Sequence, residues 1–221
     1  MAPSLSQKDR IAQLRAFAAS PEGKEANRST RQFLNSLGPT TWGYVIYRTV
    51  FTPDSDVSFP LAIEKLNAYV KAEVDRDLVG TQFDAGVNQA VWDKWRGIVV
   101  DDKENEGKGV DDIRAAFIAR GGRRGVVEEG CCIMLDERGL QSLIDEDESG
   151  SSEPTLNKDG YVTMVDGRWV AGEGDSEYQG WMKVNVGQLM RLFDVLGISS
   201  LYQSWCSLQE RDQDGAFIYD G

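Results

Sequence analysis

The side chains best suited to chemistry are Arg48, on a strongly apolar predicted strand, and Lys183, on a later one. An arginine within an apolar strand is costly unless its guanidinium reaches a carboxylate, a ligand or the sheet edge. We predict a pocket in which Arg48 or Lys183 holds an anionic or carbonyl group, while Tyr44, Asp136 or Glu137 transfers a proton. The candidate ligand-binding residues, all aromatic, are Trp42, Tyr47, Tyr178 and Trp181.

A second interpretation of Arg48 is purely structural. Strand alternation puts Arg48 on one face with Tyr44 and Ile46, and puts Tyr47 on the other face, so both tyrosines cannot join Arg48 directly. In this interpretation the aromatic residues are core, and Arg48 forms a salt bridge to a nearby carboxylate. The candidate partners are Asp54, Asp136 and Glu137.

The absence of histidine limits the chemistry further. With no histidine among 221 residues, there is no Ser/His/Asp or Cys/His nucleophile and no histidine zinc site.

Three acidic stretches, beginning at Asp145, Thr155 and Glu210, match only part of a calcium-binding loop. The glycines of 121–125 fit neither a P-loop nor a Rossmann fingerprint. We therefore predict no bound metal and no cofactor.

The net charge of the chain limits the kinds of partner that we expect it to bind. A net charge of −12 and a pI near 4.5 repel phosphate backbones and anionic lipid, so nucleic acid and membranes are not expected partners. Residues 1–20 lack the apolar core of a signal peptide, and the three cysteines do not form a disulfide framework. These features predict a cytoplasmic protein.

The elements that must position these residues follow from local patterns. Capping residues and apolar spacing predict two N-terminal helices before Gly38. The run 42–51 is apolar on both alternating faces and predicts a central strand. A helix with one apolar stripe should pack on that strand's sheet, and Asp166-Gly167 predicts a β-hairpin. The stripe consists of Phe59, Ile63, Leu66, Val70 and Val74.

Together these elements predict an α+β fold. We expect a mostly antiparallel sheet with helices packed on one face, in a ferredoxin-like or doubled ferredoxin-like arrangement. The predicted organisation is a helical extension over 1–40 and an α+β domain over 41–221. Acidic loops are expected at 145–159 and 172–180.

Several segments also resemble a widespread family of uncharacterised fungal proteins. The most distinctive are the runs WGYVIYRT at 42–49 and YQGWMKV at 178–184, with weaker matches at Asp54, 134–137 and 166–168. The resemblance covers roughly residues 40–200. It implies a fungal, intracellular origin and transfers no catalytic mechanism.

Three functions remain open. The first is a cofactor-independent enzyme of the isomerase, cyclase or lyase type, with Arg48 and Lys183 stabilising charge and with fungal specialised metabolism as its setting. The second is a non-catalytic protein that binds a small apolar or carbonyl-containing ligand. The third is a protein-protein interaction module whose acidic loops bind a basic protein partner.

Overall fold

The computed structural model describes residues 7–121, 130–144, 160–172, 177–207 and 218–219. These residues form two compact units. The first unit consists of Met1–Pro39 with Val74–Asp93, and the second consists of Thr40–Glu73 with Lys94–Gly221.

The described chain begins with three helices, and strands and helices follow in mixed order. The helices are α1 (Gln7–Ala19), α2 (Pro21–Ala26), α3 (Ser29–Leu37), α4 (Pro53–Val74), α5 (Gly86–Trp92), α6 (Val110–Ala119), α7 (Glu137–Ile144), α8 (Leu189–Leu196) and α9 (Leu201–Cys206). The strands are β1 (Trp42–Arg48), β2 (Trp95–Val100), β3 (Cys131–Leu135), β4 (Tyr161–Asp166), β5 (Trp181–Asn185) and β6 (Ile218–Tyr219).

The first unit is organised around the buried side chain of Arg28. Helices cover both predicted N-terminal segments, and the second segment is divided into α2 and α3 just before Arg28. The Arg28 guanidinium donates to Glu25, Asp77 and Asn88. Burial alone would raise the pKa of Asp77, but hydrogen bonds from Arg28, Asn88 and Thr30 lower it overall. A charged network therefore joins the N-terminal helices to the segment that carries α5.

The second unit contains a mixed sheet of six strands in the order β2-β1-β3-β4-β5-β6. The pairs β1/β2, β1/β3 and β5/β6 are parallel, and β3/β4 and β4/β5 are antiparallel. The α+β class, with helices packed against a sheet, is confirmed. The predicted mostly antiparallel, ferredoxin-like arrangement is corrected, because connections that contain α4 and α6 bring the next strand back in the same direction.

The sheet carries helices on both faces, which corrects the prediction of one covered face. We call the face with Tyr44, Ile46 and Arg48 the α4 face, because the Arg48 guanidinium lies 4.6 Å from the Phe59 ring of α4. The opposite side is the α6 face. There Val45, Tyr47, Cys132 and Met134 pack with residues of α6 in one buried cluster.

The predicted apolar stripe of α4 forms part of the core. Phe59, Leu66, Val70 and Val74 are buried, and Ile63 is half-buried. The strand 42–48 is buried at every position, as its doubly apolar pattern predicts. These two elements provide the framework that orients Arg48.

The hairpin predicted at Asp166-Gly167 is wrong. Residues 167–172 form turns and irregular structure, and β4 pairs instead with β3 and β5. The local turn signal was present, but the partner strand comes from farther along the chain. Among the described residues, no helix is long and apolar enough to span a membrane.

Candidate functional site

Three parallel strands end at the same edge of the sheet, and acidic residues follow each of them. Because β1, β2 and β3 run in one direction, their carboxyl ends lie together, where open α/β sheets commonly bind ligands. We call this region the acidic edge. Its carboxylates are Asp54, Asp56, Asp101, Asp102, Glu104, Glu106, Asp136 and Glu137.

Hydrogen bonds show that the segments of the acidic edge are close in space. The Thr49 amide donates to the Leu135 carbonyl at 3.2 Å, and the Gly107 amide donates to the Thr49 carbonyl at 2.9 Å. The end of β1 is therefore tied to both the end of β3 and the loop after β2.

Arg48 lies beneath the acidic edge, with 5% of its surface exposed. Its guanidinium forms an ion pair with Asp56 and another with Asp101 at 3.3 Å. It also donates to the Ser55 hydroxyl at 3.1 Å and the Val50 carbonyl at 2.8 Å. The phenyl rings of Phe51 and Phe59 lie 4.4 and 4.6 Å from the guanidinium carbon.

This geometry identifies the salt-bridge partners of Arg48 as Asp56 and Asp101, instead of the predicted Asp54, Asp136 or Glu137. The difference arises because α4 begins right after β1 and brings Asp56 back over the strand end. The two partner side chains keep about half of their surface in solvent, at 50% and 52%. Arg48 thus holds two carboxylates at the surface.

Asp136 and Glu137 lie at the same edge, at the start of α7. The Asp136 Oδ1 accepts a hydrogen bond from the Gly139 amide at 2.8 Å, which caps this helix. Glu137 is exposed in the first helical turn. The structure therefore brings Arg48, Asp136 and Glu137 to one edge of the sheet.

Lys183 lies on the opposite face from Arg48. The register aligns Tyr47 with Met134, Met134 with Thr163, and Thr163 with Lys183, so these four side chains share the α6 face. Lys183 is 7% exposed, and its ammonium lies 4.2 Å from the centre of the Tyr161 ring. Since two strands separate β1 from β5, Arg48 and Lys183 do not share a pocket.

The predicted aromatic residues divide in the same way. Trp42 and Tyr44 are fully buried on the α4 face, where both rings pack against Phe193 of α8. The Tyr44 hydroxyl donates to the Leu189 carbonyl at 3.0 Å. Trp181 is half-buried on the α6 face, beside Val165 in the strand register.

Tyr178 belongs to a separate buried group at the Asp166 end of β4. Its hydroxyl donates to the Asp166 Oδ2 at 3.0 Å, and the Arg114 side chain donates to the Asp166 carbonyl at 2.8 Å. Burial, and then the negative charge of Asp166, strongly raise the pKa of Tyr178. The phenol therefore keeps its proton and serves as a hydrogen-bond donor, not as a base.

Two buried polar residues were not predicted from the sequence. The Glu73 carboxylate of α4 accepts the Met190 and Arg191 amides at the N-terminus of α8, at 2.8 and 3.0 Å. Gln188 is buried, and its Oε1 has no hydrogen-bond partner among the described atoms. Glu73 lies outside the predicted apolar stripe of α4, and the sequence does not show that α8 begins against it.

The ligating residues of the described chain do not gather into a metal site. No group of three or more Cys, Asp or Glu side chains there has an arrangement that could hold an ion. The predicted acidic loop 145–159 lies outside the described residues, as do positions 173–176 of the second loop.

Comparison of the chain with protein-family models, curated proteins and solved structures finds no match. The resemblance to a fungal family therefore stays a prediction.

Proposed function

We propose that the second unit is a protein-interaction module that binds a lysine- or arginine-rich segment of a partner protein at the acidic edge. The observation that carries this proposal is the grouping of exposed carboxylates after three adjacent parallel strands. Eight carboxylates lie there. The cationic residues within the same stretches of the sequence are Lys103, Lys108, Arg138 and the buried Arg48.

The buried Arg48 supports the proposal by fixing part of this surface. Its contacts with Asp56 and Asp101 hold two half-exposed carboxylates in place before any partner arrives. Preorganised groups lose less conformational entropy on binding than freely rotating side chains do. The edge is thus suited to a partner that presents spaced cationic side chains.

The long-range field favours the same partner. A net charge of −12 attracts cationic segments and speeds their encounter, while it repels nucleic acid and anionic lipid. All three cysteines are free thiols, which supports a cytoplasmic location for the complex.

The enzyme hypothesis has less geometric support. It relies on Arg48 and Lys183 together, and these side chains point to opposite faces of the sheet. The Arg48 guanidinium already has four polar partners, and Asp136 caps a helix. The small-ligand hypothesis meets the same difficulty, because the predicted aromatic residues are divided between the two faces.

The test uses a blocked, fluorescein-labelled peptide of alternating lysine and valine, about the length of β2, and measures binding by fluorescence anisotropy. The edge variant Asp102→Asn/Glu104→Gln removes two exposed carboxylates. It retains a side-chain oxygen at position 102, where the Asp102 carboxylate accepts a hydrogen bond from the Glu104 amide at 3.0 Å. We expect it to weaken binding about three- to tenfold, an effect that salt diminishes.

The matched control is Glu64→Gln/Asp194→Asn, which removes the same charge from exposed helical positions. Glu64 lies eight residues along α4 from Asp56, or about 12 Å at the helical rise, beyond a Debye length of about 8 Å. The control should change the affinity less than about twofold. Equal losses in both variants, or no binding of the peptide, would overturn the proposed function.

A further inference from the structure

Strand β2 forms an open edge of the sheet next to the acidic edge. Among the described strands it is the first in the order, and there it pairs only with β1. The Trp42 amide donates to the Lys94 carbonyl at 3.0 Å, so the backbone groups of Lys94 and of every second residue after it are directed toward β1. By this alternation the backbone groups of Trp95, Gly97 and Val99 point away from β1.

Side-chain contacts agree with this assignment. The Arg96 guanidinium folds back and donates to the Trp95 carbonyl at 2.6 Å. The Trp95 carbonyl is therefore accessible from outside the β1/β2 pairing. Gly97 and Val99 are both exposed, and the exposed surface of a glycine is backbone. Two successive outward residues therefore offer backbone donors and acceptors to solvent.

In the part of the chain that the structure describes, this edge lacks most of the usual protection against strand pairing. Proteins commonly block an open edge with proline, lysine, a bulge or a covering segment. Within β2 there is no proline or lysine, and the contact described at this edge is that of Arg96 with the Trp95 carbonyl. Ile98 and Val100 pack against the α6-face cluster, which holds the strand in a regular conformation.

Charge indicates which strand would occupy the edge. Val100 is followed directly by Asp101 and Asp102, so a strand that continues along β2 reaches the carboxylates of the acidic edge. A second copy of this chain would bring the same carboxylates and its own charge of −12. A cationic extended segment fits the edge, and like charge disfavours self-pairing.

We propose that the basic segment binds as an added strand on β2, pairing with the outward backbone groups of Gly97 and Val99. This inference rests on the proposed function and specifies how the partner is held. Backbone hydrogen bonds would supply affinity, and its cationic side chains would select the acidic edge.

The variant that tests this mode is Val99→Pro. Proline at this position removes an outward amide without removing a hydrogen bond to β1, so an edge strand can accept it. We expect Val99→Pro to weaken binding of the lysine-valine peptide at least about tenfold. Val99→Thr retains the amide and β-branching, and should change the affinity less than about twofold.

A second probe carries the same charges but cannot pair as a strand. It is the same peptide N-methylated at every backbone amide, and we expect it to bind at least about tenfold more weakly than the parent. Hydrogen exchange in the wild-type protein adds a measurement that needs no substitution. The Gly97 and Val99 amides should exchange rapidly in the free protein and become protected in the complex.

The outcomes separate the two proposals. If the Asp102→Asn/Glu104→Gln variant weakens binding but Val99→Pro and N-methylation do not, strand addition is overturned and the proposed function remains. If the carboxylate variant has no effect, the proposed function itself fails. Should Val99→Pro fail to fold, unprotected Gly97 and Val99 amides in the wild-type complex would overturn strand addition. A wild-type dimer that Val99→Pro converts to a monomer would assign the edge to a second copy instead.

Discussion

Replacement of Arg48 by methionine tests whether the guanidinium is a structural support of the acidic edge. Methionine is similar in length and can fill the apolar space between Phe51 and Phe59, but it removes the charge and every donor. We expect Arg48→Met to destabilise the second unit while leaving its fold intact.

The magnitude follows from the contacts. The lost bond to the Val50 carbonyl contributes about 1.5 kcal/mol, as expected for a charged donor. Each ion pair contributes roughly 0.2–1 kcal/mol, because Asp56 and Asp101 are half-exposed and can regain water. With a partial offset from the buried methionine, the expected loss is about 2–3 kcal/mol. This lies below the roughly 3–5 kcal/mol that accompanies a fully buried orphaned charge.

The assay is denaturant unfolding, with thermal melting as a second measurement. A loss of about 2–3 kcal/mol should lower the melting temperature of the second unit by roughly 5–10 °C. The control is Arg120→Met, at the exposed end of α6, which should stay within about 0.5 kcal/mol of wild type. Adding Asp56→Asn to Arg48→Met should cost less than Asp56→Asn alone costs in the wild type, since the partner is already absent.

An Arg48→Met protein as stable as wild type, or more stable, would refute this reasoning. That result would mean that the guanidinium is retained at a cost in stability, as is typical of a ligand-binding group. The structural account of Arg48 would then give way to the ligand-site interpretation.

Two further predictions concern buried polar groups. Glu73→Gln should destabilise the second unit by about 1–2 kcal/mol in denaturant unfolding, because it weakens the carboxylate cap of α8. The control Glu64→Gln, at an exposed site, should not destabilise it. Equal effects of the two substitutions would contradict the capping role. Tyr178→Phe should lower the free energy of unfolding by about 1–3 kcal/mol, because it removes the donor to Asp166. Since the pKa of Tyr178 is raised on folding, the stability that this residue contributes is present below about pH 10 and is lost as the pH rises further. Urea unfolding across this range should therefore show that the free energy of unfolding falls less steeply with pH in Tyr178→Phe than in the wild type. A decline identical to that of wild type would exclude this linkage.

Local periodicity was sufficient to predict several elements of the core. Four of the five stripe residues between Phe59 and Val74, and every position of the doubly apolar strand β1, are buried as expected. Alternation also placed Arg48 and Tyr47 on opposite faces correctly. These features depend on residues a few positions apart, and the geometry of a helix or strand fixes how such residues are related.

Strand pairing could not be predicted in the same way. The Asp166-Gly167 turn suggested a hairpin, yet β4 pairs with β3 and β5, and the sheet is mixed. Pairing is decided by contacts between distant segments, whose stability depends on the burial of whole faces. A local turn signal carries little of that information.

The sequence by itself determined the chemical inventory: no histidine, a charge of −12, and an arginine in an apolar strand that needs partners. Only the tertiary structure decided that Asp56 and Asp101 are those partners, that Lys183 faces the other way, and that β2 lies at the edge of the described strands. Residue types and spacing limit which interactions are possible within one element. Which elements lie side by side is set by long-range packing, and that packing brought the carboxylates of three separate segments to one edge.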